Sequence, residues 1–357
     1  MSCGKTQAYA PVDMDIVMRV VHSYGQGHKP ATTAPPTAPG NANGAVAALT
    51  PEDSTNYQNH ISVVMAGEQF SELEKEAQAA RISYTVYPGD VQKLSLFYEG
   101  VSKPPRGDKA SDEDWTEHFE ALKKWVVAYP ASPTARVATA EAYVDYAWVA
   151  RGSGYSNTVS GRGWDLFGER LNSAKALLVE AAKLKEKCPE WYSVMFNVAL
   201  GDGWDKKDAR ELFNQAAAFE PGFHTYYTQY AYHILPKWYG EEGETQEFAE
   251  EISQKVGGVD GSILYYEIAA QTACQCDKDR DSMDGLSWPR IKQGFEDLKS
   301  AYGVTNLSWN RIAYMAYSTG DQETAQNAFA VIGSDWNHKV WNSPQSFESA
   351  RNWAADL

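Results

Sequence analysis

The sequence predicts an all-α chain of paired helices stacked in an array. Three observations predict it. Apolar residues recur at helical rather than alternating spacing. Prolines punctuate the apolar stripes at Pro130, Pro189 and Pro221. Two separate stretches share one pattern of small and aromatic residues.

Taken in order, residues 1–55 form an N-terminal segment. Lys29 to Gly44 reads KPATTAPPTAPGNANG, and proline at that density blocks helix and sheet ladders and favours an extended linker. The apolar patch Asp15–Val21 reads as a small helix that docks elsewhere, outside the core. Helical periodicity is expected from Asn56 onward. Ile61, Val64, Met65, Phe70, Leu73 and Ala77 follow a loose stripe, and Gly67 splits it into two helices of a hairpin. Ser111-Asp112-Glu113-Asp114 reads as a helix cap with an acidic first turn, ahead of Trp115, Phe119, Leu122, Trp125 and Val126 on one face. Pro130 ends that helix, and Pro133 opens the next through Ala138, Ala142, Tyr146 and Val149. Strand character is confined to Tyr84–Tyr87 and Lys93–Tyr98. Both are isolated, which excludes a parallel sheet.

The repeat signal refines the fold class. The tetratricopeptide repeat is a helix pair of about 34 residues, with small residues where its helices cross and aromatics between. Ala209, Phe213, Ala216 and Pro221 match its second half. Trp309, Ile312, Ala313, Gly320, Ala325 and Phe329 match its first helix, turn and second helix. The expectation is a set of tetratricopeptide-like hairpins over 56–341 forming a right-handed solenoid, with residues 342–357 a C-terminal helix or tail. Two pairs, 133–186 and 223–256, carry long inter-helix insertions.

The chain also resembles a group of mostly bacterial tetratricopeptide-like proteins that share a domain of unknown function. The likeness rests on EAYVDYAWVARGSGY (141–155), LKEKCPEWY (184–192), HILPKWYGEEG (233–243) and LSWPRIKQGFE (286–296), and covers roughly residues 57–341. The resemblance implies helical repeats and no activity.

Charge removes some function classes. The chain has 32 Lys and Arg against 47 Asp and Glu, a net −15, and such a field repels phosphate backbones and anionic membranes. No stretch approaches the roughly 18 uninterrupted apolar residues of a membrane-spanning helix. Cys3, Cys188, Cys274 and Cys276 are too sparse for a disulfide scaffold, and Cys274-Gln-Cys276 reads as two ordinary thiols. The cytoplasm is the default compartment. The alternative is a cell-envelope lipoprotein anchored through Cys3 after removal of a signal peptide.

The candidate binding residues are Arg151, Tyr155, Arg162, Lys237, Trp238 and Tyr239. They fall in the two insertions, and equivalent loops of a stacked array project from one edge. Cations beside aromatic faces suit a carboxylate, a phosphate group or a sugar. The competing reading makes Trp238 and Tyr239 core plugs and pairs the arginines with acids. Glu141 and Asp145 stand one helical turn apart, with Arg151 as the salt partner expected for Asp145. Asp277, Asp279 and Asp281 resemble the start of a calcium loop, but Ser282 and Trp288 occupy the positions of its glycine and its bidentate glutamate. The seven histidines form no metal motif. No catalytic residue, metal or cofactor is assigned. The leading expectation is a scaffold for a protein or peptide partner, with a groove lined by Tyr143, Tyr227, Tyr230 and Trp309. A carbohydrate-binding or carbohydrate-processing protein of the cell envelope is the alternative. A purely structural subunit is the third reading.

Overall fold

A computed structural model describes residues 49–275 and 283–356, together with Val17 and Tyr24. Its regular structure is helical apart from one small hairpin among the described residues. Helix α1 spans Pro51–Ala66 and α2 Phe70–Ser83. A hairpin of β1 (Val86–Tyr87) and β2 (Val91–Gln92) follows, then α3 (Lys93–Ser102), α4 (Asp112–Ala128) and α5 (Pro133–Arg151). The array continues with α6 (Gly161–Ala182), α7 (Glu190–Asp202), α8 (Lys206–Phe219), α9 (Thr225–His233) and α10 (Glu244–Val256). It closes with α11 (Gly258–Gln275), α12 (Trp288–Ala301), α13 (Asn306–Thr319), α14 (Gln322–Ile332) and α15 (Pro344–Ala355).

Local chemistry sets the boundaries. Thr50 and Asp53 form a capping box with Pro51 in the first turn, so α1 starts before the expected Asn56. Ser111 and Asp114 form a second capping box at α4. Lys93–Tyr98 is helical, not a strand, because Leu94, Phe97, Tyr98 and Val101 bury at helical spacing. Of the Tyr84–Tyr87 stretch, Val86 and Tyr87 do pair, opposite Gln92 and Val91.

The packing forms two layers. α5, α7, α9, α11 and α13 each touch the next in one row, and α6, α8, α10, α12 and α14 pack against them. The residues of the repeat pattern are buried at these contacts: Ala209, Phe213 and Ala216 on α8, and Ile312, Ala313, Ala325 and Phe329 on α13 and α14. Gly320 caps α13 in the left-handed conformation, φ 77°. A buried ion pair, Lys175 Nζ to Asp202 Oδ2 at 2.6 Å, ties α6 to α7. α15 seats Phe347 against Phe329 and Trp341.

Two expectations need correction. The first insertion shrinks to residues 152–160, because Arg151 ends α5 and Arg162 to Trp164 lie in the first turn of α6. The N-terminal segment does contribute core. Tyr24 is 1% exposed, stacks on Trp191 at 4.2 Å, and its hydroxyl donates to the Cys188 carbonyl at 2.9 Å while accepting from the Cys188 N–H at 2.7 Å. A tyrosine is enclosed there because both of its polar valences are met. The acidic stretch 277–282, Cys3 and Cys276 lie outside the described residues. Among the described residues no helix is long and apolar enough to cross a membrane.

Candidate functional site

The two inter-helix loops meet at Arg151. Its guanidinium carbon lies 5.3 Å from the Trp148 ring, 5.6 Å from Trp164 and 5.8 Å from Trp238. Its Nη1 donates to the carbonyls of Gly152 and Gly154 at 3.1 and 3.2 Å. Glycine makes this approach workable. A Cβ at Gly163 would stand 2.9 Å from the Ala150 carbonyl oxygen, where α6 starts against the end of α5. A Cβ at Gly240 would fall 1.8 Å from the Ile234 carbonyl oxygen inside the second loop. The bare backbones let Trp164 and Trp238 close on the cation.

No carboxylate pairs with Arg151 among the described residues. Asp145, its expected partner, instead accepts from Ser102 Oγ at 2.9 Å, because this face of α5 turns toward α3. Arg151 is 8% exposed, and burial lowers its pKa below the usual guanidinium range. It is thus a desolvated cation compensated by aromatic faces and two carbonyls.

The other candidates divide. Trp238 meets Trp148 edge-on at 6.0 Å, and its indole N–H is buried with no partner. Tyr239 donates its hydroxyl to the Leu200 carbonyl at 2.8 Å, as a plug on α7. Lys237 Nζ stands 4.7 Å from the Tyr232 ring. Tyr155 and Arg162 are exposed and remain outside the aromatic group.

A groove opens beside this rim on the α7–α9–α11 row. It encloses about 120 Å³ and is lined by Phe196, Asn197 and Leu200 of α7, Thr228, Gln229 and Tyr232 of α9, and Gln271 of α11. Tyr232 belongs to both features, since its ring lies 5.9 Å from Trp238. Gln229 is anchored through Nε2 to the Ser193 carbonyl at 3.1 Å, which leaves its Oε1 buried and unpartnered. That oxygen is an acceptor awaiting an N–H or O–H. The groove residues were not among those expected. Tyr227 and Tyr230 are buried instead, against Phe213 at 5.2 and 5.1 Å. Tyr143 stacks on Phe119 and Trp309 packs on Phe295. These aromatics hold helix against helix, and the smaller amides beside them face the groove. Asn197 carries the one legible signal: it is the lone amide in an otherwise apolar α7 run.

A wider hollow of about 510 Å³ lies at the α1–α2 turn, lined by Glu68–Glu72, Lys75 and Tyr129. It is an open charged dish around one turn, and none of its lining residues holds a buried polar atom without a partner.

Glu141, Asp145 and Glu190 form an acidic group where α5 meets α3 and α7. Burial pushes Glu190 up to about 7, although Ser95 Oγ donates to it at 3.1 Å. Burial and then Glu190 raise Glu141 well above the usual carboxylate range. His233 has the opposite fate: burial takes it down to about 4, so it is neutral and donates Nε2–H to the Trp204 carbonyl at 3.0 Å.

In comparisons with known proteins, no family model, no curated protein and no solved structure matches this chain.

Proposed function

We propose that the chain is a helical-repeat binding protein of the tetratricopeptide type. It takes one extended polypeptide across the α7–α9–α11 groove, with the Arg151–Trp238 rim at one end. The observation that carries this reading is the buried, unpartnered Gln229 Oε1 beside a groove in which the amides and hydroxyl of Asn197, Gln271 and Thr228 stand among Phe196, Leu200 and Tyr232. Such groups suit peptide N–H and C=O groups, which need a donor or acceptor at every residue. Size supports the same reading. Sites for compact small molecules usually enclose about 300–1,000 Å³, whereas this groove holds about 120 Å³. A single extended chain, open to solvent on one side, fits that better than an enclosed sugar or cofactor.

The test is selection of linear peptides displayed on phage against the full chain, followed by affinity measurement on a Gln229→Ala/Gln271→Ala variant. The expected result is a loss of at least tenfold, or about 1.4 kcal/mol, with the circular dichroism spectrum unchanged. Peptides that bind the variant as tightly, or glycans that bind where no peptide does, would overturn the reading.

A further inference from the structure

A second polar constellation lies in the array, and neither the groove nor the rim uses it. Asp90, His224 and Glu267 each offer one ligand atom, and these atoms lie within 4.8 Å of one another. They come from three places in the fold: the β1–β2 turn, the residue that precedes α9, and the middle of α11. The side chains of Asp90 and His224 are 1% and 6% exposed.

The turn is built to aim Asp90 inward. Gly89 and Asp90 both adopt left-handed backbone, φ 81° and 59°, and aspartate is among the few non-glycine residues that tolerate it. The Gly89 N–H donates to the Gly303 carbonyl at 2.9 Å. A Cβ on Gly89 would come within 2.9 Å of Thr305 Cγ2. The turn is therefore pinned against the segment that leads into α13.

A simple ion pair does not use up this site. Asp90 Oδ2 meets His224 Nδ1 at 2.5 Å, but Asp90 Oδ1 is buried with no partner. Asp260 Oδ1 is likewise buried and unpartnered, and its charge acts on His224. Three carboxyl groups thus converge here on one imidazole and Arg311, whose charge acts on Glu267. Buried oxygens without donors cost stability unless a cation or hydrogen bond satisfies them.

We propose that Asp90, His224 and Glu267 bind a divalent transition-metal cation that clamps the hairpin turn to α9 and α11. One nitrogen and two carboxylate oxygens suit Zn²⁺ or Mn²⁺. Ligands on a shared tetrahedral ion, with bonds of about 2.0–2.2 Å, stand roughly 3.3–3.6 Å apart, so the present spacing needs only side-chain adjustment. Asp90 Oδ1 is the oxygen free to ligate.

The experiment uses the full chain stripped with EDTA and titrated with Zn²⁺ alone and Mn²⁺ alone. Metal content is read by mass spectrometry and the melting temperature by calorimetry. The expected result is one ion per chain for at least one metal, with a raised melting temperature. Glu267→Gln, which keeps shape and removes a ligand charge, should weaken binding at least tenfold. Since that variant could fail to fold, Co²⁺ is also bound to the unaltered chain, where a nitrogen–oxygen visible spectrum is expected. Substoichiometric metal without thermal shift, undiminished binding in a folded Glu267→Gln, or a thiolate-to-cobalt band would each overturn the proposal.

Discussion

The Arg151 rim and the Asp90–His224–Glu267 cluster are both polar groups set into an apolar array, yet they are assembled in opposite ways. The rim comes from the end of α5, the start of α6 and the loop after α9, whose residues stand together in short strings, and it compensates a cation with aromatic faces. The cluster joins residues far apart in the chain, with Asp90 and His224 separated by 134 positions, and it compensates charge with charge. A cation on aromatic faces keeps much of its stabilisation when one ring is lost. A buried hydrogen-bonded pair has less reserve, because removing one member leaves the other's buried polar atom without its partner.

This difference orders the expected effects of substitution. Asp90→Ala takes the hydrogen-bond partner from the buried His224 Nδ1 and should cost about 3–5 kcal/mol in metal-free urea unfolding. A cost below that of Arg151→Ala would break the comparison.

The acidic group between α3, α5 and α7 sharpens it next. The folded Glu190 carboxyl keeps its proton up to about pH 7, whereas its ordinary value is 4.5. The native state therefore binds more protons across that window. Stability from this group is full below pH 4.5 and is lost as pH rises toward 7, by on the order of 3 kcal/mol. Glu190→Gln should flatten that decline, and an unchanged slope would remove Glu190 as its source.

Smaller effects belong to the rim. Gly240→Ala places a Cβ against the Ile234 carbonyl and should cost about 1–3 kcal/mol while leaving any Zn²⁺ response intact. Loss of that response would show that the two regions are coupled. Arg151→Ala should cost about 1–2 kcal/mol, mostly through lost contact with three indoles.

The same contrast explains what the sequence makes legible. Helical periodicity, caps such as Ser111 and the small-aromatic pattern around Phe213 and Phe329 are local signals, and they locate most helices. Arg151 and Trp238 are legible because motif strings flank them. Their closure into an aromatic cage is not, since it depends on Gly163 and Gly240 admitting close backbones. Tyr227 and Tyr230 mislead because an aromatic on the first helix of a pair suits a groove or a core equally, and only packing decides. Asp90 and His224 carry no spacing signal, because a turn and a helix start meet only after the array has stacked. Tyr24 is hidden for a similar reason: a proline-rich tether lies between it and the core that it enters.

An extended polypeptide along the α7–α9–α11 row should slow amide exchange in those three helices. Hydrogen–deuterium exchange of the full chain with and without a phage-selected peptide tests it most directly. The expected result is new protection within α7, α9 and α11, centred on Asn197, Gln229 and Gln271, with little change at α1 and α2. Protection confined to the Glu68–Tyr129 hollow, with the α7–α9–α11 row unchanged, would contradict it.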